Sequence, residues 1–116
     1  MAWKVIYFTS ASGENPVSKF IDSCAKKQQI KILRILKHLE EYGVQMVIPH
    51  LKKLSGTPFY EIRVLGKDNI RIIYVVEMEK MIILLHGFFK KTRKTAKKEI
   101  EICYQRYKEF KRLLTR

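Results

Sequence analysis

The chain has 116 residues, of which 47% are hydrophobic, and it carries a formal net charge of +13. This length fits one compact domain over residues 1–116 with a modest core, and it leaves no room for a second domain. So large a positive charge favours polyanions, so we expect nucleic acid or an acidic protein as partner, with an anionic membrane surface as the next alternative.

The positive charge is concentrated near the C-terminus. Between Lys90 and Arg116 the sequence has eleven basic and three acidic residues, a net +8. If the lysines served only to keep the protein soluble, the charge would not need to be localised. The distribution therefore favours a binding surface for a polyanion.

Cysteines and histidines are few and widely spaced. Cys24 and Cys103 each lie in an apolar helical pattern, which is typical of buried thiols in a reducing compartment. There is no CxxC motif and the three histidines are scattered, so we expect no metal site and no other cofactor. The apolar runs are too short to span a membrane and the N-terminus lacks a signal-peptide pattern, so we expect a soluble cytoplasmic protein with no membrane partner.

The first part of the chain predicts a strand and two helices. The run WKVIYF, residues 3–8, is rich in β-forming residues and ends in the turn-forming SASGENP. Asn15 before Pro16 is a helix N-cap followed by proline at the first helical position. Apolar residues at helical spacing predict a second helix over about Lys26–Tyr42, with Gly43 as its C-terminal cap. The two helices are expected to form a hairpin.

The remainder predicts three strands and a last helix. The stretch GVQMVIPHLKKLSGTP has mixed polarity and is interpreted as a loop with about one turn of structure. FYEIRVL, NIRIIYVVE and KMIILLHGFF are strand-like, and their short connections predict an antiparallel meander. From about Lys94 the apolar residues recur every three or four positions, which predicts an amphipathic C-terminal helix. The predicted fold class is α+β: a small antiparallel sheet packed against an N-terminal helical hairpin, with a C-terminal helix.

Alternation along the strands predicts which side chains share a face of the sheet. Ile62 and Tyr74 belong to an apolar set that is expected to pack on the helical hairpin. Glu61, Arg63 and Arg71 have the opposite parity and are expected on a solvent-exposed face.

Cations around one carboxylate are suited to RNA cleavage. The last strand of the predicted meander is expected to bring Lys90 and Lys91 close to Arg63 and Arg71. Attack by the 2′-hydroxyl needs a base, positive charge on the phosphate and an acid for the leaving oxygen. Arginine matches two phosphate oxygens, lysine supplies charge or proton transfer, and Glu61 is a candidate base. The alternative is a plain ion pair of Glu61 with Arg63 or Arg71 on an exposed sheet face.

Three segments in combination carry a family resemblance. LKKLSGTPFYEIRV, then IRIIYVV, then ILLHGFFKKTRKT, resemble the RelE/HigB-like toxins of bacterial toxin-antitoxin systems, in particular the phage-derived HigB-like branch of the RelE/ParE superfamily. The resemblance implies a RelE-like fold of the microbial-RNase type. It also implies a ribosome-dependent endoribonuclease, or mRNA interferase, that cuts messenger RNA in the ribosomal A site and inhibits translation. The implied neutralising partner is a helix-turn-helix antitoxin similar to HigA.

The resemblance also implies catalytic residues. Arg63, Arg71 and Lys91 match basic residues of the RelE-like pattern, whereas Glu61 stands where RelE has a lysine. Glu61 is therefore either a more conventional base or a residue that leaves this role to another group. The predicted catalytic set is Glu61, Arg63, Arg71 and Lys91.

A second set of residues is predicted to bind RNA. Lys94, Lys97 and Lys98 fall at a helix N-terminus, where lysine is unfavourable for stability and backbone N–H groups attract anions, so contact with phosphate is the best physical reason for them. Lys52 and Lys53 are interpreted as phosphate contacts, with a solvated loop as the equal alternative. The predicted RNA-binding set is Lys52, Lys53, Lys90, Lys94, Lys97 and Lys98.

Aromatic residues at the end of the last strand have two interpretations. RelE-like enzymes use a tyrosine after this strand, and TRKTAKKEI has none. Phe88 or Phe89 is an alternative stacking surface for a base, and a place in the core is the other interpretation of both. His86 is interpreted as a structural histidine.

Two rival functions follow from the same residues. One is a non-catalytic, basic RNA- or ribosome-binding module of the same fold, which would bind RNA without cutting it. The other is an interaction protein whose positive surface holds only an acidic partner, and which would bind RNA little at physiological salt.

Overall fold

The protein is described from a computed structural model that covers residues 3–43, 51–64, 66, 69–78 and 80–115. The described residues form three helices and five strands. In chain order these are β1 (Lys4–Tyr7), α1 (Pro16–Ser23), α2 (Lys26–Tyr42), β2 (Leu51–Lys53), β3 (Phe59–Val64), β4 (Ile70–Glu77), β5 (Met81–Phe89) and α3 (Lys97–Leu114).

The five strands form one mixed sheet in the order β1-β5-β4-β3-β2. Strands β2 to β5 pair antiparallel in succession, and β1 pairs parallel with β5. The predicted α+β class and the antiparallel meander of β3, β4 and β5 are therefore confirmed. Within the described ranges, no helix combines the length and the apolar composition that crossing a membrane requires.

The short strand β2 corrects one prediction. Leu51, Lys52 and Lys53 lie in the segment interpreted as a loop, yet they pair with β3, with Lys52 opposite Glu61. Three residues are too few for strand alternation to be recognised in a sequence. The strand is recognised only by its pairing with β3 in the structure. Residues 44–50 of the same predicted loop lie outside the described residues.

The start of α1 and the C-terminal cap of α2 are as predicted. The Asn15 side-chain oxygen accepts a hydrogen bond from the Ser18 backbone N–H at 3.2 Å, and Pro16 is the first helical residue. At the end of α2, the Gly43 N–H donates to the Leu39 carbonyl at 2.8 Å. Gly43 has a φ of 74°, and a Cβ at this position would overlap the indole of Trp3. Glycine is therefore required here for both conformation and space.

Two apolar clusters lie on opposite faces of the sheet. On one face, Ile62 and Tyr74 pack with residues of α1 and α2, which confirms the predicted face for both. On the other face, Phe59 and Ile73 pack with Cys103 of α3. The C-terminal helix thus covers part of the face that was expected to be exposed, and it begins at Lys97, three residues after the predicted start.

A β-bulge in β5 changes the parity of the strand. Ile73 lies opposite His86 and Tyr74 lies opposite Leu84, so Leu85 is an extra residue without a partner in this register. Beyond the bulge, His86 is on the α3 face beside Leu85, and Gly87 faces α1. The bulge therefore sets the direction of every side chain at the end of β5.

We predict that Gly43→Ala lowers the free energy of unfolding by about 2–4 kcal/mol, because the methyl group adds overlap with Trp3 to the strain of a positive φ. Gly56→Ala is the matched control. Gly56 has a φ of +78° with no atom within 4 Å of an added Cβ, so only the conformational cost, about 1 kcal/mol, is expected. Urea unfolding followed by circular dichroism measures both, and equal losses would contradict the predicted overlap.

Candidate functional site

Cross-strand register brings the predicted site residues together on the α3 side of the sheet. Glu61 of β3 lies between Lys52 of β2 and Ile73 of β4, and Arg63 lies directly opposite Arg71. One row across the sheet is Lys52, Glu61, Ile73 and His86, and the next row is Arg63, Arg71 and Phe88.

Glu61 is held by two neighbouring groups. Its Oε2 atom accepts a hydrogen bond from the Thr95 hydroxyl at 2.6 Å. Its Oε1 atom lies 3.4 Å from Arg71 Nε, and both side chains are largely shielded from solvent, with 1% and 13% exposure. This contact is an ion pair without hydrogen-bond geometry, because neither atom has a hydrogen-bond partner among the described residues.

The burial of Glu61 corrects the expectation of an exposed carboxylate. The predicted parity is right, since Glu61, Arg63 and Arg71 share a face, but Glu61 is fully buried and the two arginines are half-buried. The segment between β5 and α3, which contains Thr95, covers the carboxylate. The alternative interpretation was an ion pair of Glu61 with Arg63 or Arg71 on an exposed face. The pair with Arg71 is present, but it is shielded from solvent, so only the expected exposure is corrected.

The Arg71 guanidinium has a perturbed environment. Burial lowers its pKa, the Glu61 carboxylate opposes this change, and Arg63 adds to it through like-charge repulsion. Its Nη1 atom donates to the Ile70 carbonyl at 3.0 Å, which fixes the direction of the guanidinium. Arg71 is therefore anchored at two points beside Glu61.

Lys90, which follows β5, lies close to the charges of Lys52, Glu61, Arg63 and Arg71, and we call these five residues the cluster. Its pKa is lowered first by burial and further by the positive charges of Arg71, Lys52 and Arg63, while Glu61 opposes the shift. Lys90 was predicted only as an RNA contact. Its surroundings also suit a lysine that transfers a proton.

An open cleft of about 270 Å³ lies beside this cluster. We call it the cationic cleft. Four of its six lining side chains are basic and none is acidic, so it is suited to an anion such as a phosphodiester. Lys91, a predicted catalytic residue, lines the cleft and is exposed. The lining residues are Asn69, Arg71, Lys90, Lys91, Thr92 and Arg93.

The structure separates Lys52 from Lys53. Lys52 is exposed and lies opposite Glu61, on the face of the cluster. Lys53 points to the other face, where its ammonium lies 5.4 Å from the centre of the Tyr60 ring and donates to the Thr57 carbonyl. Lys53 is therefore not part of the cluster.

The three lysines predicted at the start of the last helix occupy two different settings. Lys97 and Lys98 are exposed and open α3, whose N-cap residue Ala96 makes no side-chain cap hydrogen bond. Lys94 lies before the helix, and its carbonyl accepts a hydrogen bond from the Thr92 hydroxyl. All three remain candidates for phosphate contact, with Lys94 on the loop instead of the helix.

His86 joins the sheet to α3. Its Nε2 atom lies 2.7 Å from Glu99 Oε1, and its Nδ1 atom lies 3.1 Å from Arg106 Nη1. The neutral ring therefore donates from Nε2 and accepts at Nδ1. Burial lowers the pKa of His86, the hydrogen bond that the ring donates to Glu99 opposes this change, and the charge of Arg106 adds to it. Arg106 also donates to the Leu85 carbonyl at 2.9 Å, so the bulge is held by the same group.

Thr95, Asn69, Thr92 and Arg93 were not predicted as site residues. They lie in segments without periodicity, where a sequence gives no direction for a side chain. The concentration of basic residues in KKTRKT was the available signal for Arg93 and its neighbours. No group of three or more His, Cys, Asp and Glu side chains suited to a metal occurs within the described ranges.

Residues 19–108 match the model of the family described as phage derived protein Gp49-like (DUF891). The chain belongs to this Gp49-like family. The family is associated with toxins of toxin-antitoxin systems, and the matched range contains every residue of the cationic cleft. A search of curated proteins found no match to the Gp49-like chain.

We predict that Thr95→Val lowers the free energy of unfolding by about 1–3 kcal/mol, because a buried carboxylate loses a hydrogen-bond donor while side-chain volume is nearly kept. Thr92→Val is the matched control. Its hydroxyl is exposed and bonds only locally, so a change within about 0.5 kcal/mol is expected. Denaturant unfolding measures both variants, and a Thr95→Val protein as stable as the parent would show that Glu61 does not need this donor.

Proposed function

We propose that this Gp49-like protein is the toxin of a type II toxin-antitoxin system and acts as a ribosome-dependent mRNA endonuclease that inhibits translation. The observation that carries the proposal is the cationic cleft beside the buried Glu61–Arg71 pair. The association of the family with toxins and the net charge of +13 support the same kind of substrate. A ribosome-bound substrate would place the protein in the cytoplasm.

In this proposal Arg71, Arg63 and Lys91 bind the scissile phosphate. Charge grows on the phosphate oxygens in the transition state, and guanidinium groups fixed in advance stabilise it without reorganisation. Arg71 suits this role because its ion pair with Glu61 and its hydrogen bond to the Ile70 carbonyl restrict its orientation. Arg71 also lines the cationic cleft.

Glu61 has two proposed roles, as a base or as the residue that positions Arg71. A base must reach the 2′-hydroxyl, which would require the hydrogen bond from Thr95 to open. Positioning of Arg71 requires no movement and agrees with the buried ion pair. We favour the positioning role for Glu61.

Lys90 is then the proposed group for proton transfer. Its lowered pKa increases the fraction of neutral amine at any pH below the ordinary lysine value, and a neutral amine can accept the proton of the 2′-hydroxyl. Lys52, Lys94, Lys97 and Lys98 are proposed to contact the RNA backbone farther from the cleavage point. Lys53 leaves this set because of its position on the other face.

A helix-turn-helix antitoxin similar to HigA is the proposed neutralising partner. The family's association with toxin-antitoxin systems supports this proposal, and so does the excess of positive charge, which an acidic segment of a partner would neutralise.

A non-catalytic RNA- or ribosome-binding module is the alternative function. It is favoured by the burial of Glu61, whose two oxygens already face Thr95 and Arg71, and by the absence of acidic side chains among the residues that line the cationic cleft. Such a module would bind ribosomes and leave the message intact.

The deciding experiment measures cleavage of a message on programmed ribosomes by the parent protein and by Arg71→Lys. Lysine keeps a positive charge beside buried Glu61 but loses the fork, so the rate should fall about tenfold to a hundredfold. Arg71→Ala is less suitable, because it leaves a buried carboxylate unpaired at a cost of about 2–4 kcal/mol. Arg34→Lys, on an exposed part of α2, is the control and should cut at the parent rate.

Expression of the parent protein alone should also stop growth and produce cuts within reading frames. Ribosome binding without cleavage would support the alternative function. Normal growth at verified expression, together with intact messages, would overturn the proposed activity.

Lys90→Arg tests the proton-transfer role through pH. If Lys90 accepts a proton, the cleavage rate of the parent should rise as pH increases towards the lowered lysine pKa, because the neutral form becomes more populated. Lys90→Arg keeps the charge but cannot deprotonate, so its rate should be lower and should lose this rise. Lys91→Arg should keep the pH dependence. Identical pH profiles for parent and Lys90→Arg would assign proton transfer to another group.

A further inference from the structure

We infer that a second cleft, at the end of β5, binds one unpaired RNA nucleotide, with its base stacked on Phe89 and its phosphate among Lys90, Lys91 and Lys98. The inference rests on the proposed function for the identity of the polymer, and it adds a subsite for a base. We call this the aromatic cleft. Its volume is about 500 Å³.

The aromatic cleft lies where the edge of the sheet is open. β1 pairs with β5 only as far as Leu84, with a last hydrogen bond from the Phe8 N–H to the Leu84 carbonyl. The second half of β5 therefore has no strand neighbour on this side among the described residues. Instead, α1 and the segment leading into α3 form the walls of the cleft.

Two phenylalanines form an apolar wall of this cleft. Phe89 is 43% exposed, and its ring meets Phe20 of α1 edge to face at a centroid distance of 5.1 Å. Phe20 lies over Gly87, where an added Cβ would overlap its ring. Glycine thus allows Phe20 to support Phe89 from behind, while part of the Phe89 ring remains accessible to a ligand. An aromatic ring that is fixed and partly exposed is a stacking surface for any nucleobase.

The charges around the cleft suit a phosphate. Lys90, Lys91 and Lys98 line it, together with one carboxylate, Glu99. Glu99 accepts a hydrogen bond from His86 at 2.7 Å and keeps its negative charge, so the three lysines and this one carboxylate leave a net positive charge at the cleft. A flat apolar surface beside three ammonium groups matches a nucleotide, which presents an aromatic base and an anionic phosphate a few ångströms apart.

The aromatic cleft is adjacent to the cationic cleft. Lys90, Lys91 and Thr92 line both of them, so the two clefts lie on either side of one short segment. An RNA chain with its scissile phosphate in the cationic cleft would place a neighbouring nucleotide in the aromatic cleft. The aromatic cleft would then hold the RNA in register for cleavage.

A tryptophan at position 89 reports stacking directly. In Phe89→Trp, AMP should quench the new indole fluorescence, whereas ribose 5-phosphate at the same concentration should not, since it lacks the base. Trp3 in the parent protein is the reference, because it precedes β1 at the end of the sheet opposite Phe89, on the order of 26 Å away along β5. Its emission should not change with either ligand.

Binding of a single-stranded RNA hexamer without ribosomes gives the second measurement. Phe89→Leu should weaken binding about tenfold or more, and Phe89→Tyr, which keeps the ring, should retain it. Tyr104→Leu is the matched control. Tyr104 is an aromatic residue of almost equal exposure, 44%, on α3 outside the cleft, so its loss should not change binding.

Three results would overturn the inference. They are equal quenching by AMP and ribose 5-phosphate, unchanged hexamer affinity in Phe89→Leu, and polyglutamate binding that is as tight as RNA binding and equally sensitive to Phe89→Leu. The last would assign the cleft to an acidic protein. Because no cleavage is measured, a protein that stacks nucleotides but does not cut messages would contradict only the proposed function.

Discussion

The buried Glu61 carboxylate is the constraint on which the rest of the site depends. A carboxylate removed from water must be neutralised and hydrogen-bonded, or it destabilises the fold strongly. Arg71 supplies the charge and Thr95 supplies the donor, and each comes from a different part of the chain. Because Thr95 lies between β5 and α3, satisfying Glu61 also brings that basic segment over the end of the sheet. The position of Lys90 beside the arginines follows from the pairing of β5 with β4, which the Lys90 backbone N–H extends by a hydrogen bond to the Asn69 carbonyl.

Several local arrangements near this carboxylate are unfavourable in the absence of a ligand. Arg63 and Arg71 lie directly opposite each other, and like charges at such a position repel. Helix α3 opens with Lys97 and Lys98 and has no side-chain cap, although the N-terminus of a helix favours negative charge and only Glu99 supplies it in the first turn. A bound polyanion would relieve the repulsion at both places, so the same residues that cost stability would increase affinity.

The sequence predicted what depends on local chemistry and missed what depends on distant contacts. The Asn15 cap, the Gly43 cap and the parity of β3 and β4 follow from neighbouring residues, and all three agree with the structure. The burial of Glu61 depends on Thr95, 34 positions away in the chain, and nothing in either segment indicates the contact. The extra residue Leu85 is equally invisible, because an apolar strand with one added apolar residue keeps the appearance of a strand.

The bulge at Leu85 is what allows one strand to serve two clefts. Without the bulge, each side chain beyond this point would lie on the opposite face of the sheet, so Phe88 and Phe89 would exchange faces. With it, Phe88 stacks on His86 on the α3 side, while Phe89 turns to Phe20 on the α1 side. Lys90 and Lys91, which follow directly after β5, line both clefts. A single added residue in the strand therefore places an aromatic surface and a cationic surface next to each other.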